Sequence, residues 1–329
     1  MTNKLWCPSA SMVALRERAQ LLRKTRAYLD DQGVMEVETP MLSRSATVDV
    51  YINSFITEFR VIGHSKPQLC YFHTSPEFPM KRLLSAGSGD IYSLGRVFRN
   101  GEVGKKHNPE FTMLEWYRVG MNDHRLMDDV AGLLGSICNF KEVKRCSYGK
   151  LFEEHIGLNP YIATDEELNQ VVKDRINVRP QGLERNDCLD LLFSRFIEPN
   201  LGSPNADELE GVFIYDYPAT MSALARLSTN RDGHSVASRF ELFVNGVELA
   251  NGYCELLDAK EQKKRFREEQ KKRQKRGYDV YPYDQNMVNA LTHGMPDCAG
   301  VAMGIDRLLM LILDTSNIAD VLAFDFARA

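Results

Sequence analysis

The sequence predicts an α+β fold, a mostly antiparallel sheet flanked by helices, on three observations. Two pairs of β-rich runs are neighbours in the chain: Ile91–Arg99 with Phe111–Arg118, and Arg239–Val244 with Val247–Cys254. The second pair is joined by Asn245-Gly246, a dipeptide that accepts the positive φ angles of a two-residue hairpin. Helical periodicity is inserted between the pairs instead of alternating strictly with single strands, and no internal repeat occurs. This argues against a doubly wound parallel sheet.

The elements follow in order. Leu15, Ala19, Leu22 and Leu29 recur at helical spacing over residues 12–32, and Gly33 supplies the stop. Val34–Val37 reads as a strand broken by Pro40. Val50–Ile56 and Glu58–Ile62 are expected to form a hairpin, and Leu69–His73 another short strand. Ser75 is placed as N-cap and Pro76 as first residue of a helix that Glu77 favours electrostatically and that ends near Gly87. Residues 124–199 read as mostly helical, with turns at Gly149, Gly157 and Pro180. Gly202–Glu210 is a polar connection and Val212–Tyr217 a strand. Lys260–Arg276, with ten basic and three acidic residues, follows the hairpin, and Val301–Ile305 then Arg307–Leu313 read as strand and helix.

Composition bounds the function. With 329 residues and 43% hydrophobic content the chain can bury a large core. A net charge of −4 excludes a general positive field for nucleic acid. The seven scattered cysteines include no C-x-x-C pair, and neither an N-terminal apolar core nor a long apolar run is present. The reading is a cytoplasmic protein with reduced thiols and no membrane partner.

Four segments carry candidate chemistry. Arg99-Asn100 ends one strand opposite Asn108-Pro109-Glu110-Phe111, across a loop longer than ordinary hairpins use. An arginine there fits a phosphate with paired hydrogen bonds, and an aromatic fits a nucleobase. These residues alone fit a surface arginine and a core phenylalanine equally well. Glu241, Glu248 and Glu255 are seven apart. The two-residue turn puts Glu241 and Glu248 on one face, where Mg²⁺ bound to nucleotide phosphates would join them. Glu255 falls on the other face unless a bulge intervenes, for which Asn251-Gly252 is the candidate place. Gly300–Gly304 lets a ligand approach the backbone, and Arg307 sits in a first helical turn, where an anion would offset the unfavourable dipole. Asp306 is the alternative partner for Arg307. Lys260–Arg276 reads as a solvated helix face or as a docking surface for an acidic partner.

In order and spacing, these segments resemble the signature motifs of class II aminoacyl-tRNA synthetases, over about Pro8–Ala329. Arg16–Pro40 resembles motif 1, the dimer-forming element; Phe98–Asn100 through Asn108–Thr112 resembles motif 2; Gly304–Arg307 resembles motif 3. HNPEFTMLEWY (His107–Tyr117), TSPE (Thr74–Glu77), DYPA (Asp216–Ala219) and VELANGYCEL (Val247–Leu256) are similar to the lysine branch. The start of the catalytic part within the first dozen residues leaves no room for the anticodon-binding OB-fold domain of that branch. The chain thus resembles truncated lysyl-tRNA synthetase paralogues, the elongation factor P–lysine ligase family.

The resemblance implies a class II catalytic fold over 12–329, an N-terminal arm over 1–11 and a helical, motif-poor insertion over about 121–210. It implies ATP and Mg²⁺, with (R)-β-lysine or lysine activated as an aminoacyl-adenylate and passed to a lysine ε-amine of elongation factor P. A homodimer through 16–40 is expected, and tRNA is not an expected partner. Arg99 would hold the α-phosphate and Arg307 the β/γ-phosphates, with Glu248 as the third catalytic group. Asn100, Gly101, Glu102, Asn108, Phe111, Leu249 and Gly304 would complete the ATP site, Phe111 stacking on adenine. Glu241 and Glu248 would bind Mg²⁺. Ser75, Pro76, Glu77, Tyr117, Asn251, Glu255 and Ala302 would form the amino-acid pocket, Ser75 and Ala302 replacing the usual Ala and Gly. The chain departs from motif 2 at Gly101, where the family has a Glu that reads adenine; Glu102 is the candidate substitute. Two other readings stay open: a lysine-activating enzyme that charges tRNA or a small amine, and a non-catalytic regulator, although such regulators usually lose one of the two motif arginines.

Overall fold

A computed structural model describes residues 5–60, 62–63, 66–138, 140–176, 182–202, 204–205 and 208–329. Pro180 and Val61, both in segments read from the sequence, lie outside the described residues, as do 1–4 of the N-terminal arm. The chain forms two compact units, Met1–Gly120 with Leu257–Ala329, and Met121–Leu256.

The first unit opens with α1 (Met12–Asp31), capped by the Ser11 hydroxyl, which accepts from Ala14 N. Its buried stripe is Ala14, Leu21, Thr25 and Leu29, rotated from the expected Leu15, Ala19, Leu22 seam. Thr25 is buried because its hydroxyl bonds back to Leu21 O. Gly33 turns with φ +70 and ends the helix as expected. β1 (Met35–Glu36) then runs parallel to β5, Ile91–Phe98.

Between them lies a separate sheet of β2 (Leu42–Ser43), β3 (Ile56–Phe59) and β4 (Gln68–Phe72), with β4 in the middle. The expected hairpin of Val50–Ile56 with Glu58–Ile62 is therefore corrected: β3 pairs with β4, and residues 50–55 form no strand. The physical reason is a competitor for backbone acceptors. Arg273, fully buried, donates to Asp49 O, Ile52 O and Asp279 O and to Asn53 Oδ1. α2 (Glu77–Ser85) starts after Pro76, one residue later than expected. Ser75 is not its N-cap; its hydroxyl accepts from Glu77 N ahead of the helix. β5 and β6 (Glu110–Val119) are antiparallel, from Ile91↔Tyr117 to Phe98↔Glu110.

The second unit starts with α3 (Asp123–Ile137) and β7 (Phe140–Ser147), followed by α4 (Tyr148–Ile156), α5 (Asp165–Ile176) and α6 (Arg185–Phe196). β7 interrupts the stretch 124–199, which is mostly helical as expected. Its apolar residues Phe140, Val143 and Cys146 recur every third position, a spacing that matches a helix and not the alternation of a strand, and the pairing with β9 is irregular between Phe140 and Val143. β8 (Pro204–Asn205) and β9 (Glu208–Pro218) replace part of the expected polar connection, of which 203, 206 and 207 lie outside the described residues. β10 (Leu227–Thr229), β11 (Ser235–Val244) and β12 (Val247–Cys254) complete a sheet ordered β12-β11-β9-β7, with β10 on β11 and β7 parallel to β9. Asn245 and Gly246 take φ +51 and +63, the turn that the dipeptide predicts. The helices cover this sheet through Tyr148, Phe152, Phe193, Tyr217 and Phe243.

The chain then returns to the first unit as α7 (Ala259–Lys275), α8 (Gln285–His293), β13 (Cys298–Gly304) and α9 (Ile305–Ile312). β13 pairs antiparallel with β6, so the first unit carries β1-β5-β6-β13. Antiparallel pairs predominate and helices flank them; the fold is α+β. Among the described residues no helix is long and apolar enough to cross a membrane.

Arg273 supplies the fold's clearest stability test. Arg273→Met keeps the stem and removes donors from four acceptors, each costing about 1–3 kcal/mol when left unpaired. Urea unfolding is expected to show a loss of about 3 kcal/mol or more; an unchanged midpoint would contradict the anchoring role.

Candidate active site

The motif segments of the first unit meet at Asp306. Its buried carboxylate accepts from Arg18 (2.5 Å), on α1, and from Thr112 N (2.6 Å), on β6. Arg18 also donates to the Thr112 hydroxyl at 2.6 Å. Asp306 is therefore not the partner of Arg307, as the sequence left open. Arg307 instead lies 2.7 Å from His107 Nε2, and it does fall in the first turn of α9. Burial, then the Arg307 charge, lowers the His107 pKa, so the ring is neutral near pH 7.

Arg99 follows the last residue of β5. Its guanidinium lies 5.1 Å from the Phe111 ring centroid, and its buried Nε has no hydrogen-bond partner. A buried guanidinium N–H aimed at no acceptor fits an anionic ligand. Gly101 turns with φ +89, a conformation that a glutamate at this position would strain, and Glu102 follows with its carboxylate 3.8 Å from Arg99. Asn100 is exposed, its N–H bonded to Asn53 O. Asn108 is buried, and its amide is spent on Glu110 O and Phe326 N, which anchors the loop. A Cβ on Gly304 would point toward the Arg307 side chain at 3.8 Å.

Deeper on the same unit is an acidic cluster. Glu115 on β6 is 3% exposed; it accepts from Ser75 (2.6 Å) and from Tyr117 (2.7 Å). Tyr117 is two residues along the strand and so shares its face. Glu77 lies close enough to raise the Glu115 pKa and pairs with Lys81 at 2.5 Å. Pro76 is buried beside them, and Ala302 is the cross-strand neighbour of Glu115. Burial first, then the Glu77 charge, pushes Glu115 up to about 8, against the pull of Ser75, Tyr117 and Lys81. Two carboxylates with one lysine between them leave a deficit of positive charge. That is the electrostatic form of a site for a cation.

The second unit carries the other predicted carboxylates. The β11–β12 register shifts between Leu242 and Phe243, leaving Leu249 as a buried, extra residue. The bulge is real but lies ahead of the expected Asn251-Gly252. Phe243 faces Glu248 and Glu241 faces Asn251, so Glu241, Glu248 and Asn251 share one face. The bulge also brings the parity of Glu255, which is buried, to that face. Glu241 is held by Tyr217 (2.7 Å), Asn251 (3.2 Å) and Arg239. Burial raises its pKa and the Glu248 charge adds to this, while Arg239 opposes both.

Glu115, His107, Arg18, Arg239 and Tyr217 escaped the sequence reading. A lone charge in the apolar run FTMLEWY and an arginine two residues before Glu241 were the available signals for two of them. Arg18 sits among other helix-surface charges and offered none.

Glu115 generates a signed prediction. Because its folded pKa lies above the unfolded value, the empty protein loses stability as pH rises from about 4.5 toward 8. An alkylammonium ligand would favour the ionised carboxylate and release its proton. Calorimetry in two buffers of different ionisation enthalpy is expected to show proton release near pH 7, with affinity rising between pH 6 and 8. No proton release, or weakening over that range, would contradict the assignment.

Comparisons with known proteins agree with this architecture. Residues 7–328 match the family described as tRNA synthetases class II (D, K and N). The chain is 44% identical over 326 residues to the elongation factor P–(R)-β-lysine ligase of Yersinia enterocolitica, with 98% of each chain covered. It is 43% identical to the proteins of that name from Salmonella paratyphi B and Salmonella schwarzengrund, over the same shares. The three motif segments that Asp306 ties together, and a match that runs nearly end to end, place this chain in the class II aminoacyl-tRNA synthetase family.

Proposed function

We propose that this chain activates (R)-β-lysine or lysine with ATP and transfers it to a lysine ε-amine of elongation factor P. The observation that carries this reading is the pairing of buried Glu115 with half-buried Glu77, a carboxylate site short of one cation. A diamino acid supplies that cation. The names of the relatives supply the β-lysine and the acceptor.

The chemistry follows from the residues in place. Arg99 and Arg307 meet the phosphates of ATP, and Phe111 offers its ring to the adenine. Glu102, turned back by Gly101, takes the adenine-reading part of the usual motif 2 glutamate. Ser75, Pro76, Tyr117 and Ala302 shape the pocket around Glu115 and Glu77. The substrate carboxylate attacks the α-phosphorus and pyrophosphate leaves. The acceptor amine then attacks the acyl carbon of the adenylate, and AMP leaves with the bonding electron pair. Arg99 stabilises the negative charge that builds on the α-phosphate during the first step.

Mg²⁺ belongs to this reading through the chemistry of its donors. Glu241 and Glu248 present hard oxygens on one strand face, which suits an ion that takes one or two carboxylates and completes its shell with phosphate and water. Bound there, Mg²⁺ would neutralise phosphate charge. Glu241 is held in place by three donors, and Glu248 is the second carboxylate of the pair. Pairing of two copies through residues 16–40, where Met35 is exposed, and a cytoplasmic location complete the proposal.

ATP–pyrophosphate exchange with lysine and (R)-β-lysine separately tests the activation step. Exchange is expected with at least one of them, and exchange with neither would end the enzyme reading. Glu248→Ala is expected to lower exchange at least a hundredfold, about 3 kcal/mol of lost transition-state stabilisation. Near-normal exchange in that variant would remove Glu248 from the metal site.

A further inference from the structure

The basic segment that the nucleotide chemistry leaves unused forms α7, and its two sides differ sharply. One side is fixed in the core of the first unit. Phe266 packs between Phe78 and Tyr283, each 5.6 Å away, Gln262 is buried, and Arg273 makes the four bonds described above. The other side lines a shallow groove with Lys260, Lys263, Lys264, Arg267 and Lys271, interrupted only by Glu268. These positions recur every three or four residues and so form one stripe.

The stripe is only partly neutralised from within the helix. Glu261 pairs with Lys264 at the edge of the stripe and with Arg265, and Glu269 pairs with Lys272, which leaves Lys260, Lys263, Arg267 and Lys271 outside these pairs. Like charges at four-residue spacing, such as Lys263, Arg267 and Lys271, disfavour the helix that carries them. Gln262, Phe266 and Arg273 hold the helix in place against that repulsion. The chain as a whole carries net charge −4, so ten basic residues against three acidic ones in this segment leave the remainder strongly acidic. A local field of the opposite sign suits a negatively charged macromolecule, not general solubility.

The position of the stripe favours one occupant. Phe266 packs on Phe78, the α2 residue next to Glu77 of the candidate amino-acid pocket. A partner held on the outer side of α7 is therefore one helix away from the element that grips the amino acid. A protein that must present an amine to the activated amino acid needs such a contact, remote from the reacting atoms. We propose that the Lys260–Lys271 stripe of α7 docks an acidic surface of the acceptor protein. This rests on the acceptor assignment made above.

The experiment compares the wild-type enzyme with the variant Lys263→Glu/Arg267→Glu/Lys271→Glu, using elongation factor P as acceptor. Amino-acid-dependent ATP–pyrophosphate exchange reports the folded active site and is expected to stay within twofold. The KM for elongation factor P in the transfer reaction is expected to rise at least tenfold with little change in kcat. The wild-type KM should rise with ionic strength, and that of the variant should hardly respond. The milder triple Lys263→Gln/Arg267→Gln/Lys271→Gln should lie between them, and it serves if the charge-reversed protein misfolds. An unchanged acceptor KM in both variants overturns the proposal. So does loss of tRNA binding in the variants with an intact acceptor KM, since the stripe would then serve RNA. Fluorescence anisotropy separates the two readings. If wild-type enzyme binds elongation factor P without transferring to it, the acceptor assignment fails while weaker binding by the variant still upholds the stripe. If wild-type enzyme does not bind elongation factor P, the stripe proposal fails.

Discussion

Much of the first unit depends on one buried carboxylate. Asp306 lies in the first turn of α9, yet its oxygens are taken by Arg18 from α1 and by a backbone N–H of β6. A carboxylate 1% exposed is costly to bury unless its oxygens are paired, and here a guanidinium and a backbone amide pair them. The consequence is geometric. With Asp306 turned inward to α1 and β6, the next residue, Arg307, is directed to His107 on the loop between β5 and β6. Three segments far apart in the chain are thus registered by a single carboxylate, and Arg307, proposed above to meet phosphate, takes its direction from its neighbour.

The second constraint is the mismatch of charge around Glu115. Removing a carboxylate from water is unfavourable unless the site repays it, and the hydroxyls of Ser75 and Tyr117 repay only part. Lys81 is committed to Glu77. The pocket therefore carries a penalty that a cationic amino acid, the substrate proposed above, would relieve. Affinity and selectivity for an ammonium group then have the same origin, since a neutral side chain of similar shape would leave the penalty in place. In the second unit the corresponding arrangement is closed. Arg239 and Tyr217 already satisfy Glu241, and that carboxylate is prepared in position instead of being held in deficit.

How much of this was legible in the sequence depends on the range of the interactions involved. The Asn245-Gly246 hairpin, the Gly33 stop, the long loop after Arg99 and the shared face of Glu241 and Glu248 rest on local backbone preference, and each could be read. The bulge was foreseen in kind but misplaced, because its position depends on packing between strands. The hairpin over 50–62 failed because Arg273, more than two hundred residues away, takes the carbonyls that a strand partner would have used. β7 is not legible because its apolar residues follow a helical spacing, and an irregular register between Phe140 and Val143 hides the strand alternation. Glu115 and Arg18 act through partners that only the fold assembles, and for Arg18 no local pattern distinguishes it from its neighbours.

The central claim is that a pocket short of one cation selects a lysine-type amino acid for delivery to a protein amine. Intact-mass and peptide spectra of elongation factor P, after incubation with enzyme, ATP and (R)-β-lysine or lysine, test it most directly. The account predicts the gain of a single lysyl unit on one lysine side chain, dependent on ATP and absent with Glu115→Gln. An unmodified acceptor in the presence of active exchange, or equal modification by the Glu115→Gln enzyme, would contradict it.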